Sequence, residues 1–285
     1  MFSGCEAWSK ELRRRGYGVY SFDILQGPDG DVLRKPVQSR IRRMLSSGSC
    51  LGLLAGVPCT SFSIAAGRFR PLRSKTCPMG LPDLPERLQE KVVLGNELLR
   101  VSLSFFRYCK RYSVPFLWEN PASSYQWRTA AAEEVRSWDH STEVLTHYCG
   151  WGARWKKATR FMCFQLPNAI ELHKKCTSLT SVCVFTNKEH IRLEGKDDNG
   201  INWTARAAAY PKALAHMMVN VFEDAAFTTV FGYNLGNYIK KASVNNQAIA
   251  NNKKYNKAKQ LNLSYVTARA ASSSFPPTTP TPPSR

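Results

Sequence analysis

The sequence predicts an α/β protein: a sheet with helices on both faces, carrying a small second lobe. Three observations lead there. Apolar runs of strand length alternate with helical stripes from residue 5 to residue 148, the pattern of strands joined by helical crossovers in a parallel sheet. The unusual residues gather where those runs end, and ligands of such sheets bind at the C-terminal strand ends. After residue 225 the text turns Asn/Lys-rich, "NNQAIANNKKYNKAKQ", and then Pro/Thr/Ser-rich, "SSSFPPTTPTPPSR". Such composition buries too little apolar surface to offset chain entropy. Four segments are therefore expected. Residues 1–150 form a catalytic and cofactor domain, and 151–203 a small basic lobe. Residues 204–225 return as a helix that closes the first domain, and 226–285 are a disordered tail.

The elements follow in order. "CEAWSKELRRR" (5–15) reads as a helix, with Glu6 four residues before Lys10 and glycines at 16 and 18 to end it. "VYSFDIL" (19–25) is β-branched and aromatic and reads as a strand. Residues 37–47 carry Val37, Ile41, Met44 and Leu45 on one helical side. "CLGLLAG" (50–56) reads as a buried strand. Residues 64–85 form a long basic loop with Pro and Gly, a length that in compact domains accompanies function. Leu88, Val92, Leu99, Phe106 and Cys109 make the stripe of a helix over about 86–112. "VPFLWENP" (114–121) is a second buried strand, followed by a helix near 128–137 and a strand near 143–148. Pro211 opens the closing helix, "KALAHMMVNVF".

Charge narrows the partners. The chain of 285 residues carries a net +19. Eight of its 40 lysines and arginines lie beyond residue 225, and none of its 21 acids does, so the folded part still carries about +11. A basic domain favours a polyanion; DNA is the expected partner and RNA the second candidate. No run of about 20 apolar residues exists to span a membrane. The N-terminus, "MFSGCEAWSKELRRRG", lacks the apolar core of a signal peptide. Nine scattered cysteines fit a reducing compartment with free thiols. An intracellular protein is expected, nuclear if its source is eukaryotic.

The strand ends bring together "FSG" (2–4), Asp23, "PCTSFS" (58–63) and "ENP" (119–121). A glycine before a helix, here Gly4, lets a ligand approach a helix N-terminus. An acid one strand later, Asp23, suits ribose hydroxyls. A capping or turn role for Asp23 reads nearly as well. Cys59 follows Pro58 directly after a strand, with Arg68, Arg70, Arg73 and Lys75 on the next loop to favour its thiolate. Most cysteines only pack, but Glu119 ends the neighbouring apolar strand, and a carboxylate there has a task or a partner. Thiol and carboxyl together suit one reaction. The thiolate adds to carbon 6 of a pyrimidine while a proton or hydrogen bond is supplied at N3. Carbon 5 then attacks a methyl sulfonium, a base removes the carbon 5 proton, and the thiolate leaves. A base in a duplex must first be flipped out.

The second half carries "HYCGWGARWKKATRFMCF" (147–164). Arg154, Lys156, Lys157 and Arg160 are read as phosphate contacts, with Trp151 or Trp155 as a stacking surface; a strand with a solvated basic face is the equal alternative. Cys163, Cys176, Cys183 and His190 offer four N/S ligands for zinc, although no close Cys-x-x-Cys pair is present. Free thiols in a small β unit are the competing reading.

In order, "FSG", "FD", "GVPCTSFSIAAG", "ENP" and "WKKATRF" resemble the motifs of the cytosine-C5 DNA methyltransferase family. The stretch "PLRSKTCPMGLPDL…GNELL…LWENPASSYQW" looks more like its divergent retroelement-associated methylase-like domains. The resemblance covers about residues 1–220. It implies a Rossmann-like sheet whose first strand is truncated here, with S-adenosylmethionine as cofactor. By the same resemblance Cys59 is the nucleophile, Glu119 the N3 partner and Arg160 part of the late basic motif. Phe2, Gly4, Asp23, Pro58 and Asn120 are then expected on the cofactor side, and Ser61, Ser63, Arg68 and Arg70 toward nucleic acid. The 151–203 lobe would take the place of the target-recognition region. The family's second glycine is absent at Cys5-Glu6-Ala7, and Pro121 stands where an apolar residue is more common. Two other readings stay open: a nucleic-acid-binding remnant without catalysis, and an exocyclic-amine methyltransferase using "NPAS" (120–123).

Overall fold

The computed structural model describes residues 1–2, 6–64 and 71–231. The expected positions at Gly4, Arg68 and Arg70 lie outside the described residues, as does the stretch 232–285. Among the described residues the chain forms six α-helices and four strands, the α/β composition expected. The helices are α1 (Ala7–Arg14), α2 (Lys35–Ser46), α3 (Glu86–Arg111), α4 (Ala130–Arg136), α5 (Trp203–Arg206) and α6 (Lys212–Phe231). The strands are β1 (Leu53–Ala55), β2 (Phe116–Pro121), β3 (Ser141–His147) and β4 (Ala158–Phe164).

The sheet is mixed rather than parallel, in the order β1-β2-β4-β3. β1 and β2 run parallel, with Ala55 opposite Trp118. β4 runs antiparallel to both β2 and β3. The crossover through α4 carries the chain one place too far to pair β3 with β2, and β4 folds back into the gap. That placement depends on pairing across some 40 residues, and no local pattern announces it.

Strand alternation divides the core into two layers. On one face Ala55, Phe116, Trp118, Met162 and Phe164 meet α2, α3 and α4 through Ile41, Leu45, Leu99, Phe106 and Val135. Phe106 stacks on Phe116 with centroids 4.6 Å apart. On the other face Leu54, Leu117, Phe161 and Cys163 meet α6 through Leu214, Met218, Val221 and Phe222, with Trp8 of α1 packed alongside. Burying a side chain of this size stabilises by roughly 1.5–3 kcal/mol. Gly52 is required by this second layer, since a Cβ there would lie 2.3 Å from the Phe222 ring. Arg15 ties α1 to α6, donating to Asn220 and Glu223, each at 2.8 Å.

Two boundaries differ from expectation. Residues 19–25 form no ladder among the described residues: a 3₁₀ turn occupies Ile24–Gln26, and the segment meets Phe2 through a bond from the Phe2 amide to the Phe22 carbonyl (2.6 Å). Met1 in turn makes the bond pattern of a parallel pair with β1, its amino group donating to the Leu54 carbonyl and its carbonyl accepting from the Gly56 amide. The closing helix continues to Phe231, so the tail does not begin at residue 226. Among the described residues no helix is long and apolar enough to cross a membrane.

Candidate active site

The parallel register puts the C-terminal ends of β1 and β2 side by side, and the chain changes direction here. From Met1–Phe2 it runs to one side, to Phe22. It then crosses back to β1 on the other. Ligands of open α/β sheets bind at such switch points. Phe2 sits there in the left-handed backbone region (φ 55), a conformation bulky residues seldom adopt. Gly56 brings three polar groups together: a Cβ there would be in ordinary contact with the Phe2 carbonyl oxygen at 3.5 Å, and with both Glu119 Oε2 and the Tyr210 hydroxyl at 3.6 Å.

Cys59 hangs from a loop with a rigid frame. Asn120 Nδ2 donates to the Val57 carbonyl (2.6 Å), and Gln126 Nε2 donates to the Pro58 carbonyl (2.9 Å). Gln126 is oriented in turn by Trp118, whose Nε1 donates to its Oε1 (3.2 Å). Beyond the loop, the amides of Phe62 and Ser63 close onto the Cys59 carbonyl. Cys59 itself is half-buried. Its thiol is pushed up by burial and by the charge of Glu119, and pulled back by Lys157. Thiol, carboxylate and ammonium therefore share one electrostatic environment.

Glu119 is nearly buried on the face that carries Leu117 and Phe161. Lys157 Nζ lies 3.8 Å from its Oε1, and the Tyr210 hydroxyl donates to its Oε2 at 3.4 Å. Lys157 also donates to the Tyr148 hydroxyl (3.3 Å). Glu119 Oε1, Asn120 Oδ1 and Thr159 Oγ1 are buried without a hydrogen-bond partner. In a folded interior such unpaired acceptors are uncommon.

The cation beside Glu119 is thus Lys157, which the sequence suggested for phosphate, and not Arg160. Arg160 lies on the other face of β4, where it donates to Glu143 (3.0 Å) and stacks over Trp127. Residue parity decides this: positions 157, 159 and 161 face one way and 160 the other. Arg73 does not serve the thiol either. It is 1% exposed, and burial lowers its pKa to about 10. It donates to the Ser61 carbonyl and hydroxyl, Pro78, Val92 and Asn96, and stacks 3.5 Å over Phe62. Ser61 is accordingly an interior support rather than a nucleic-acid contact; Ser63 is half-buried beside it.

Asp23 accepts from the Leu25 amide as the cap of a 3₁₀ turn, the alternative reading for that residue. Arg154 is exposed, whereas Lys156 donates to the Ser178 carbonyl. Trp151 is buried, donating to Thr146 and covered by Lys174, so it offers no stacking surface.

The thiols of the second lobe gather as Cys149, Cys176 and Cys183 with His190, their ligand atoms all within 4.8 Å. Cys163 is not among them. It has the parity of Phe161 and lies in the sheet core, where burial pushes its thiol up. Burial also raises Cys149, to about 12. For Cys183 burial works the same way, yet donors from Thr186 and Phe185 outweigh it and lower its pKa to about 6. The signal for Cys149 in the sequence was its neighbour. A Cβ at Gly150 would lie 2.8 Å from the Lys174 Cβ, so this glycine admits the lobe against the turn.

Comparison with known proteins adds nothing to this geometry: no protein-family description, no curated protein and no solved structure matches the chain.

Proposed function

We propose that the chain is a cytosine-C5 methyltransferase-like domain that uses S-adenosylmethionine and acts on DNA, with Cys59 as nucleophile and Glu119 as its acid partner. The observation that carries this reading is the pairing of Cys59 and Glu119 at adjacent parallel strand ends, where Phe2 and Tyr210 also converge on Gly56. The sheet order, with helices on both faces and a switch point at Met1–Phe2, is compatible with a Rossmann-like cofactor domain. Phe2, Glu119 and Tyr210 converge beside Gly56 and offer polar groups that would contact a cofactor; the bound cofactor would supply an electrophilic methyl.

The residues would act as follows. Cys59 loses its proton to solvent and adds to carbon 6 of a flipped cytosine. Glu119 takes up a proton from solvent and donates it at N3, recovering it when the ring is restored, so carbon 5 becomes enamine-like and takes the methyl group. Loss of the carbon 5 proton to a base then expels the Cys59 thiolate and restores the ring. Lys157 steadies the Glu119 carboxylate after it has given up its proton. Tyr210 orients the same carboxyl from the second core layer.

A 5-fluorocytosine duplex tests this, because fluorine at carbon 5 blocks the last step. With labelled S-adenosylmethionine, wild-type protein is expected to form a stable covalent complex, and Cys59→Ala none. If wild-type protein gives neither complex nor measurable cofactor binding, the nucleic-acid-binding remnant is the correct reading. The net positive charge of the folded part already supports that alternative.

A further inference from the structure

Between residues 173 and 206 the chain makes almost no apolar core. Only Cys176 and Cys183 are buried in that stretch. Its large apolar side chains Leu179, Val184 and Phe185 are exposed. Up to α5 it contains no helix or strand, only isolated bridges such as Val182 with Glu189 and Lys196 with Asn202. The only apolar cluster it joins consists of Cys149, Cys176 and Cys183. About 30 residues cannot hold a single conformation on so little burial without a cross-link or a metal.

We infer that Cys149, Cys176, Cys183 and His190 form a structural zinc site that serves as the core of this lobe. The donor set is right: three thiols and an imidazole, in a closed tetrahedral set with no carboxylate, select zinc. The spacing is right too. Zinc with thiolates at about 2.3 Å and imidazole at about 2.0 Å keeps ligand atoms roughly 3.5–3.8 Å apart. Cys176 Sγ and His190 Nε2 stand 3.8 Å apart, inside a set no wider than 4.8 Å.

The surrounding backbone supports the ligands. Cys183 and Lys188 close a tight turn, the Cys183 amide donating to the Lys188 carbonyl, while the Phe185 amide donates to Cys183 Sγ at 3.4 Å. Amide donors of this kind stabilise a metal-bound thiolate. The next bridge carries His190, its amide bonded to the Ser181 carbonyl. The Cys176 amide donates to His147 Nδ1 (3.0 Å), which fixes that ligand's loop to the end of β3. Cys149 follows β3 directly and belongs to the turn that leads to Lys157. The metal therefore joins the lobe to the segment that presents Lys157 to Glu119. This inference stands whether or not Cys59 transfers a methyl group.

The test uses the full chain, purified under reducing conditions and analysed for metal. The expected result is one equivalent of zinc per chain, retained in Cys163→Ser and lost in Cys176→Ser and Cys183→Ser. Should those two variants fail to fold, cobalt(II) titration of reduced wild-type protein decides. A thiolate-to-cobalt charge-transfer band with tetrahedral d–d bands, displaced by zinc, supports the site. Absence of zinc together with absence of those bands would sink the inference. So would a disulfide among Cys149, Cys176 and Cys183 in protein alkylated under native conditions, or equal zinc loss in Cys163→Ser.

Discussion

Cys59 and the thiols of the second lobe differ in what surrounds them. Cys59 stands at the rim of a sheet whose two layers are filled with Phe, Trp, Leu and Val, and its loop is fixed by Asn120 and Gln126. Cys149, Cys176 and Cys183 stand where there is no apolar layer, and nothing but one another and His190 fills the centre of the lobe. In the first place a core holds a thiol; in the second the thiols stand in for a core. The same residue type therefore reads as reactive or as structural according to which neighbours are already satisfied. Cys163, buried among Leu117, Val144 and Phe161, shows the third case, a thiol that only packs.

The largest test of this contrast is Glu119→Gln. If the rim is chemical, methyl transfer falls by about 10²–10⁴-fold, the usual worth of a general acid, while thermal unfolding changes little. Unchanged transfer with a large loss of stability would make Glu119 structural and erase the distinction.

Next is Arg73→Met. It removes the donor to Ser61, Pro78, Val92 and Asn96 and leaves buried carbonyls unpaired. Denaturant unfolding should show a loss of about 2–4 kcal/mol. Zinc content should be unaffected, because the clasp belongs to the rim and not to the lobe.

The smallest effect concerns pH. Only the thiolate is alkylated, so a thiol raised by burial and by Glu119 reacts slowly at neutral pH. Its rate climbs as pH passes above the ordinary thiol range. Glu119→Gln removes a charge that raises the pKa and should move the climb to lower pH. Lys157→Met removes the charge that lowers it and should move the climb to higher pH, slowing iodoacetamide labelling of Cys59 a few-fold at neutral pH. Identical profiles in all three proteins would separate Cys59 from the pair and break the site.

Much of this was visible in the residues. The stripes of α2 and α3 and the apolar runs of β1 and β2 report burial directly, because period and burial are the same fact in a regular element. The pairing of Cys59 with Glu119 followed once both were placed at strand ends. What escaped was set by long-range pairing. Residues 19–25 have strand composition, but a strand needs a partner, and among the described residues the segment meets Phe2 through the bond to the Phe22 carbonyl. The mixed sheet arose from β4 entering a gap. That Lys157 and not Arg160 lies beside Glu119 could not be read, because side-chain parity along β4 is fixed only when Phe161 chooses a face. Cys149 could not be joined to Cys176 and Cys183 until β3 ended beside them.

The Arg73 clasp has a bearing on how this protein can change over time. The chain leaves the sheet edge at Ser61 and Phe62, and Arg73 binds both on its return. Between them lies "AAGRFR" (65–70), with two arginines. Substitutions within this stretch leave the contacts of Arg73 with Ser61 and Phe62 in place. Selection on its residues is therefore separated from selection on the fold that carries Cys59, and relatives of this chain should differ more there than at Ser61, Phe62 and Arg73.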